Sequence, residues 1–72
     1  MKFTIEYERE DDGRWLAEIM ELPGALVYGT TREEAIGKVQ ALGLRVIADR
    51  IDHGEDMPPF MTISFAAAAI HG

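Results

Sequence analysis

The sequence contains no cysteine and few basic residues, and each shortage excludes a class of structure or function. Without cysteine, the 72-residue chain forms neither disulfides nor thiolate metal sites. Its two histidines, His53 and His71, are not at metal-ligand spacing, so we expect no metal and no other cofactor. A domain this short buries only a modest core. Self-association is therefore one remaining way for it to gain stability.

Basic side chains are outnumbered almost two to one. Seven Lys and Arg residues stand against 13 Asp and Glu residues, which gives a formal net charge of −6. Phosphate affinity comes mainly from Lys and Arg, and Arg45 and Arg50 are too few and too separated to form a basic patch. We expect no direct binding to nucleic acid. The acidity suits a basic protein partner, or it only keeps the protein soluble.

Long apolar runs are also missing. No stretch approaches the roughly 20 apolar residues that cross a bilayer. The N-terminus alternates polar and apolar residues and lacks the apolar region of a signal peptide. We therefore expect a cytoplasmic protein without membrane association, folded as a single domain over residues 1–72.

The first part of the chain shows the period-two alternation of half-buried strands. Asp12 and Gly13 form a hairpin turn signal between the first two strands. Pro23 and Gly24 end the second strand, and a short third strand is predicted over 25–28. The inward apolar positions of the first two strands are Phe3, Ile5, Tyr7, Trp15, Ala17 and Ile19.

A helix is predicted from about Arg32 to about His53. Thr31 and Glu34 have the spacing of a capping box, and Gly54 suits the left-handed position after the helix. Gly43 lies beside the apolar stripe, where we expect the helix to pass close to a large side chain such as Trp15. The stripe comprises Ala35, Val39, Leu42 and Val46, flanked by Ile36 and Ile47.

The C-terminal segment predicts a fourth strand. Met61, Ile63 and Phe65 alternate with Phe60, Thr62, Ser64 and Ala66, and the strand continues apolar to Ile70. The right-handed crossover rule places it parallel to the first strand, in the sheet order 3-2-1-4. The fold class is thus α+β: an antiparallel sheet of three or four strands with one long helix on one face, in the order β-β-β-α-β.

Two apolar surfaces exceed what one helix on one sheet can bury. Leu44 and Ile51 lie on a helix face away from the sheet, and residues 57–72 carry no Asp, Glu, Lys or Arg. We predict a homodimer or higher homo-oligomer. The alternative is that the tail folds back on its own chain or frays. The predicted interface residues are Leu44, Ile51, Met61, Ile63 and Phe65.

Three motifs in this order and spacing resemble the N-terminal domain of HicB-type antitoxins. They are the Asp-Gly-aromatic hairpin over 12–18, the Leu-Pro-Gly turn over 21–25 and the helix start Gly-Thr-Thr-Arg-Glu-Glu-Ala over 29–35. The helix exit over 52–58 is similar too. The resemblance covers residues 2 to about 60. It departs from the family at Thr30, often acidic there, and we expect none of the C-terminal operator-binding domain that many members carry.

The resemblance implies a non-catalytic antitoxin module that binds and neutralises a small basic mRNA-cleaving ribonuclease of the HicA type. It also implies a partial ribonuclease H-like sheet without that enzyme's catalytic carboxylates. The alternative is a stand-alone homo-oligomeric HicB-like protein with no toxin partner. A degenerate ribonuclease H enzyme is a distant third possibility.

The candidate partner-binding residues are acidic. Glu10, Asp11 and Asp12 at the hairpin tip are suited to meet a basic toxin, although a solvated tip is an equally good interpretation. Alternation places Glu6, Glu8 and Glu18 on the solvated strand face, so we expect no catalytic residue among them. Tyr7 and Trp15 fall on the inward face and are interpreted as core residues rather than binding anchors.

Overall fold

The computed structural model describes residues 1–54 and 61–70. Four strands form one sheet in the order β3-β2-β1-β4. β1 pairs with β2, and β2 with β3, in antiparallel register, whereas β4 runs parallel to β1. The α+β class, the strand order and the parallel placement of β4 beside β1 are confirmed, so the sheet is mixed rather than wholly antiparallel. The elements are β1 (Lys2–Arg9), β2 (Trp15–Ile19), β3 (Leu26–Gly29), α1 (Arg32–Asp52) and β4 (Ser64–Ala69).

The first hairpin closes at a glycine. The Glu10 N–H donates to the Arg14 carbonyl (2.7 Å), and the Gly13 N–H donates to the Glu10 carbonyl (2.9 Å). Gly13 has a φ of +92°, a left-handed conformation that a residue with a Cβ rarely adopts. The Asp-Gly turn signal in the sequence is therefore confirmed.

The second turn shifts the start of β3 by one residue. Ala25 was predicted as the first residue of that strand, but it completes the turn instead. Its N–H donates to the Leu22 carbonyl (2.9 Å), and its own carbonyl accepts the Ile19 N–H (3.0 Å). Leu22 and Ala25 are both buried, so this turn forms one end of the core.

The core lies between α1 and the inner face of the sheet. The helix buries residues spaced four apart: Ala35, Val39, Gly43 and Ile47. The buried side of the helix is therefore turned away from the stripe predicted through Leu42 and Val46, because those two side chains are only partly buried. The sheet contributes Phe3, Ile5, Ala17 and Ile19 to this core.

Gly43 allows the helix to lie close to the sheet, but the neighbour predicted for it was wrong. A Cβ at Gly43 would lie 2.6 Å from Ile19 Cδ1 and 3.5 Å from Phe65 Cε1. Trp15 lies elsewhere, tilted against Tyr7 with 6.3 Å between the ring centroids. Both aromatic side chains pack against the core, as their alternation in sequence indicated.

The caps of α1 follow the sequence closely. Thr31 Oγ1 accepts the Glu34 N–H (3.0 Å), while the Glu34 carboxylate accepts the Thr30 N–H (3.3 Å) and the Thr30 hydroxyl (3.0 Å). The reciprocal bond thus reaches one residue further back than in the usual capping box. The helix ends at Asp52, one residue before the predicted end, and Gly54 follows with a φ of +72°.

β4 begins at Ser64, later than the alternation over 60–66 indicated. Met61 and Ile63 precede it and pack against the core without belonging to the strand. Phe65 stacks on Phe3 with 5.6 Å between the ring centroids.

Two segments discussed from the sequence lie outside the described residues. They are the part of the helix exit over 55–60 and His71. Within the described residues, no helix is long and apolar enough to cross a membrane.

Candidate functional site

Among the described residues, α1 covers one face of the sheet and no other element covers the opposite face. We call this second surface the open face. The strand register places side chains from all four strands on it, because alternate residues of each strand point away from the helix. Its members are Lys2, Thr4, Glu6 and Glu8 from β1, Leu16 and Glu18 from β2, Leu26 and Tyr28 from β3, and Ser64, Ala66 and Ala68 from β4.

An acidic strip runs along the open face. Glu6 on β1 lies directly opposite Glu18 on β2, and Glu8 is the diagonal neighbour of Glu18. All three are half-buried. Like charges placed directly opposite each other destabilise a sheet, so this pairing costs the isolated chain some stability. Their position on the face opposite the core is as the sequence alternation indicated.

An apolar strip adjoins the acidic one on β2 and β3. Leu26 is 42% exposed and Tyr28 is 40% exposed, and Met20, just after β2, is 48% exposed. Leu16 lies opposite Tyr28 on the same face. The guanidinium of Arg14 sits 4.2 Å above the centre of the Tyr28 ring, a cation–π contact that holds this aromatic side chain in place.

This apolar strip was missed in the sequence. Leu16 and Met20 occupy positions of the second strand that alternation assigns to solvent. Two large apolar residues at solvent-facing positions indicate an exposed apolar surface, and this pattern could have predicted the strip. Leu26 and Tyr28 belong to a strand of only four residues. Such a short strand does not show from sequence alone which of its residues face outward.

One residue of the predicted acidic tip, Asp12, forms hydrogen bonds within the hairpin itself. Asp12 Oδ2 accepts from Arg14 Nε (2.7 Å), and Asp12 Oδ1 accepts the Arg14 N–H (3.0 Å). The bond from the Arg14 backbone, together with the guanidinium, holds the pKa of Asp12 below its usual range. Asp11 is exposed and Glu10 is half-buried. A partner-binding role for these three residues stays a prediction.

The predicted oligomer residues fall into two environments. Met61, Ile63 and Phe65 are half-buried and pack against the core of their own chain. Leu44 and Ile51 are 47% and 49% exposed on α1. Their role in an interface between copies stays a prediction.

Two shallow pockets lie on the described surface. One, of about 180 Å³, lies between the turn over 22–25 and the helix side chains of Leu42, Val46 and Arg50. Another of about 180 Å³ lies between Arg14, Tyr28 and the start of α1. Both are smaller than the roughly 300–1,000 Å³ of typical small-molecule sites. Across residues 1–54 and 61–70, no three His, Asp or Glu side chains converge as metal ligands. The open face is thus suited to another protein's surface rather than to a small ligand.

The chain is similar to a UPF0150 protein of Thermoplasma acidophilum. The two are 28% identical over 58 residues, which span 81% of this chain and 84% of that protein. No protein-family model matches the chain, and no solved structure matches it. The similarity therefore extends along most of both chains.

Proposed function

We propose that this chain is a non-catalytic, HicB-like antitoxin module whose open face binds and neutralises a small basic ribonuclease of the HicA type. The observation that carries the proposal is the uncovered sheet face, where the acidic strip of Glu6, Glu8 and Glu18 adjoins exposed Leu26 and Tyr28. The resemblance of the hairpin, turn and helix-start motifs to HicB proteins supplies the class of partner.

The composition of the open face matches that of a protein interface. Apolar and aromatic side chains form the centre of such interfaces, and polar groups surround them. Here Tyr28 is held by Arg14, so little side-chain freedom is left to lose on binding. Lys or Arg side chains of a basic partner would relieve the repulsion between Glu6 and Glu18. Opposite net charges would also accelerate the encounter.

The proposal excludes catalysis because of how the acidic side chains are arranged. Glu6 and Glu8 lie along β1, and Glu18 faces Glu6 from β2. Metal-assisted nucleases need carboxylates that converge on a metal ion, and across the described residues no three His, Asp or Glu side chains do so. Carboxylates spread over two strands in this way provide charge for recognition. Neutralisation would then come from covering the surface of the toxin.

Inhibition of a HicA-type ribonuclease from the same genome tests the proposal. RNA cleavage would be followed with wild-type protein, with the double variant Glu6→Gln/Glu18→Gln, and with Glu33→Gln as a matched control. Glu33 is an acidic residue on α1, paired with Arg32 (2.8 Å) and remote from the open face. We expect the wild type and the control to inhibit, and the double variant to need about tenfold more protein.

Two outcomes would contradict the proposal. One is cleavage that wild-type protein does not reduce. The other is a double variant that inhibits as well as the control, since the open face would then contribute nothing to binding.

A second candidate function is a stand-alone homo-oligomeric protein without a toxin. The exposure of Leu44 and Ile51 on α1 favours it, because both side chains lie outside the open face. Purification of the native protein from its own cell separates the two functions. A bound basic ribonuclease supports the first, and a pure homo-oligomer supports the second.

A further inference from the structure

The outer edge of β4 is a second surface that is available for pairing with another chain. β4 is the last strand of the sheet, and β1 is its neighbour on one side. The Ser64 N–H donates to the Met1 carbonyl (3.0 Å), and the Ile70 N–H donates to the Tyr7 carbonyl (2.8 Å). Backbone hydrogen bonding in a strand alternates from residue to residue. The backbone N–H and C=O groups of the even-numbered residues of β4 therefore point toward β1. The N–H and C=O groups of Phe65, Ala67 and Ala69 then point to the free edge.

Within the described strand Ser64–Ala69, this edge has none of the usual protection. Natural edge strands are blocked by charged side chains, proline or bulges. β4 reads Ser-Phe-Ala-Ala-Ala-Ala, and its residues from Ala66 to Ala69 are all exposed. Among the residues that the structure describes, nothing pairs with the outer side of β4. An uncharged, unbranched edge of this kind is open to pairing with another strand.

The distribution of charge along the chain indicates what kind of strand pairs with the edge of β4. The chain carries a net charge of −6, yet residues 57–72 contain no Asp, Glu, Lys or Arg. Two copies approaching through most other surfaces would bring like charges together, whereas two β4 edges meet without repulsion. A basic partner gains no ion pair at this edge. The edge therefore favours a second copy over the partner proposed for the open face.

We infer that β4 pairs antiparallel with β4 of a second copy about a two-fold axis through Ala67, so that the two sheets become one continuous sheet. This register joins the edge-facing residues of one copy to those of the other. Phe65 lies opposite Ala69 of the second copy, and Ala67 lies opposite its own counterpart. Each such pair exchanges two backbone hydrogen bonds, about six in total.

The side chains fit this register as well. Phe65 projects toward the inner face, where it stacks on Phe3, and the small Ala69 of the second copy leaves room beside it. On the open face, Ala66 lies opposite Ala68 of the second copy. The same patch is used on both subunits, as a two-fold dimer requires. Leu44 and Ile51 lie on α1, above β1 to β3, and take no part in this pairing.

Proline at adjacent positions tests the inference. Proline is tolerated in an edge strand where its missing N–H would face outward, and it is disruptive where that N–H pairs within the sheet. Ala67→Pro should therefore abolish pairing with a second copy and leave β4 bonded to β1. Ala68→Pro is the matched control, because it removes an N–H that faces β1 and should detach β4 within each chain.

Sedimentation from low to high micromolar concentration would be run on the intact chain and both variants, and hydrogen exchange at the Ile70 amide would report whether β4 stays bonded to β1. We expect a dimer for the intact chain and a monomer with a protected Ile70 amide for Ala67→Pro. Ala67→Lys is a second blocking variant that decides the matter if the proline variant does not fold. A monomeric intact chain would overturn the inference. So would a dimer that persists in the folded blocking variants.

Discussion

Replacing Glu18 by lysine should stabilise this chain while weakening its binding to a basic partner. Glu18 lies directly opposite Glu6 and diagonal to Glu8 on the open face. Glu18→Lys converts two repulsions into two attractions without changing the core. Glutamate and lysine have similarly low strand propensity, so the change in charge dominates the effect.

The size of the stabilisation expected for Glu18→Lys follows from the strand register. Carboxylates on opposite residues lie about 6 Å apart, and those on diagonal residues about 8 Å apart. With the dielectric constant of water and a Debye length of about 8 Å, these pairs repel by about 0.3 and 0.2 kcal/mol. Reversing both signs doubles each value, for a total gain of about 1 kcal/mol. In a domain of this size, that gain raises Tm by about 4–8 °C.

Thermal unfolding of the wild type and Glu18→Lys at physiological and at about 1 M salt measures this effect, because the Debye length falls to about 3 Å at the higher concentration. The stabilisation should shrink strongly at high salt. Glu33→Lys is the matched control, and it should lower Tm because it removes an ion pair with Arg32 and an acidic group from the first turn of α1. A Tm of Glu18→Lys equal to or below that of the wild type would show that the glutamates do not repel one another on the open face. A gain that is the same at both salt concentrations would also show this.

The remaining predictions concern backbone packing and pH. Gly29→Ala should lower the free energy of unfolding by about 1–3 kcal/mol, since its Cβ would lie 2.7 Å from the Ala35 backbone nitrogen, as urea denaturation would show. Gly37→Ala should raise it by about 1 kcal/mol, since no atom lies within 4 Å of the new Cβ and alanine favours the helix. The Glu21 carboxylate accepts the Thr4 N–H (2.7 Å), which lowers its pKa below 4.5. Its contribution to stability is therefore present above pH 4.5 and lost as the pH falls through the lower folded value. Acid titration of unfolding should show a shallower loss for Glu21→Gln than for the wild type.

The parts of the fold that depend on local patterns could be predicted from the sequence. The turn at Gly13, the helix start at Thr31 and the left-handed Gly54 each follow from chemistry within a few residues. The order of the strands followed from the crossover rule. Local patterns did not show that Ala25 completes a turn rather than beginning a strand, because its two backbone bonds depend on how Leu22 and Ile19 are placed.

The neighbour of Gly43 and the apolar half of the candidate site depend on tertiary structure. The rotation of α1 about its own axis decides that Gly43 contacts Ile19 and Phe65 rather than Trp15. A helical wheel gives the apolar side of a helix but not the strand beneath each residue. The apolar strip required the register of a short third strand, which joins Tyr28 to Leu16.

Mapping of the amides that change on binding tests whether the open face binds a basic ribonuclease. A labelled sample of this chain would be titrated with the HicA-type ribonuclease, and the backbone and side-chain NMR signals would be followed. We expect the largest changes at Glu6, Glu18, Leu26 and Tyr28, while Leu44 on α1 stays unchanged. Changes concentrated on α1, or saturation without any change on the open face, would contradict the claim that this face is the binding surface.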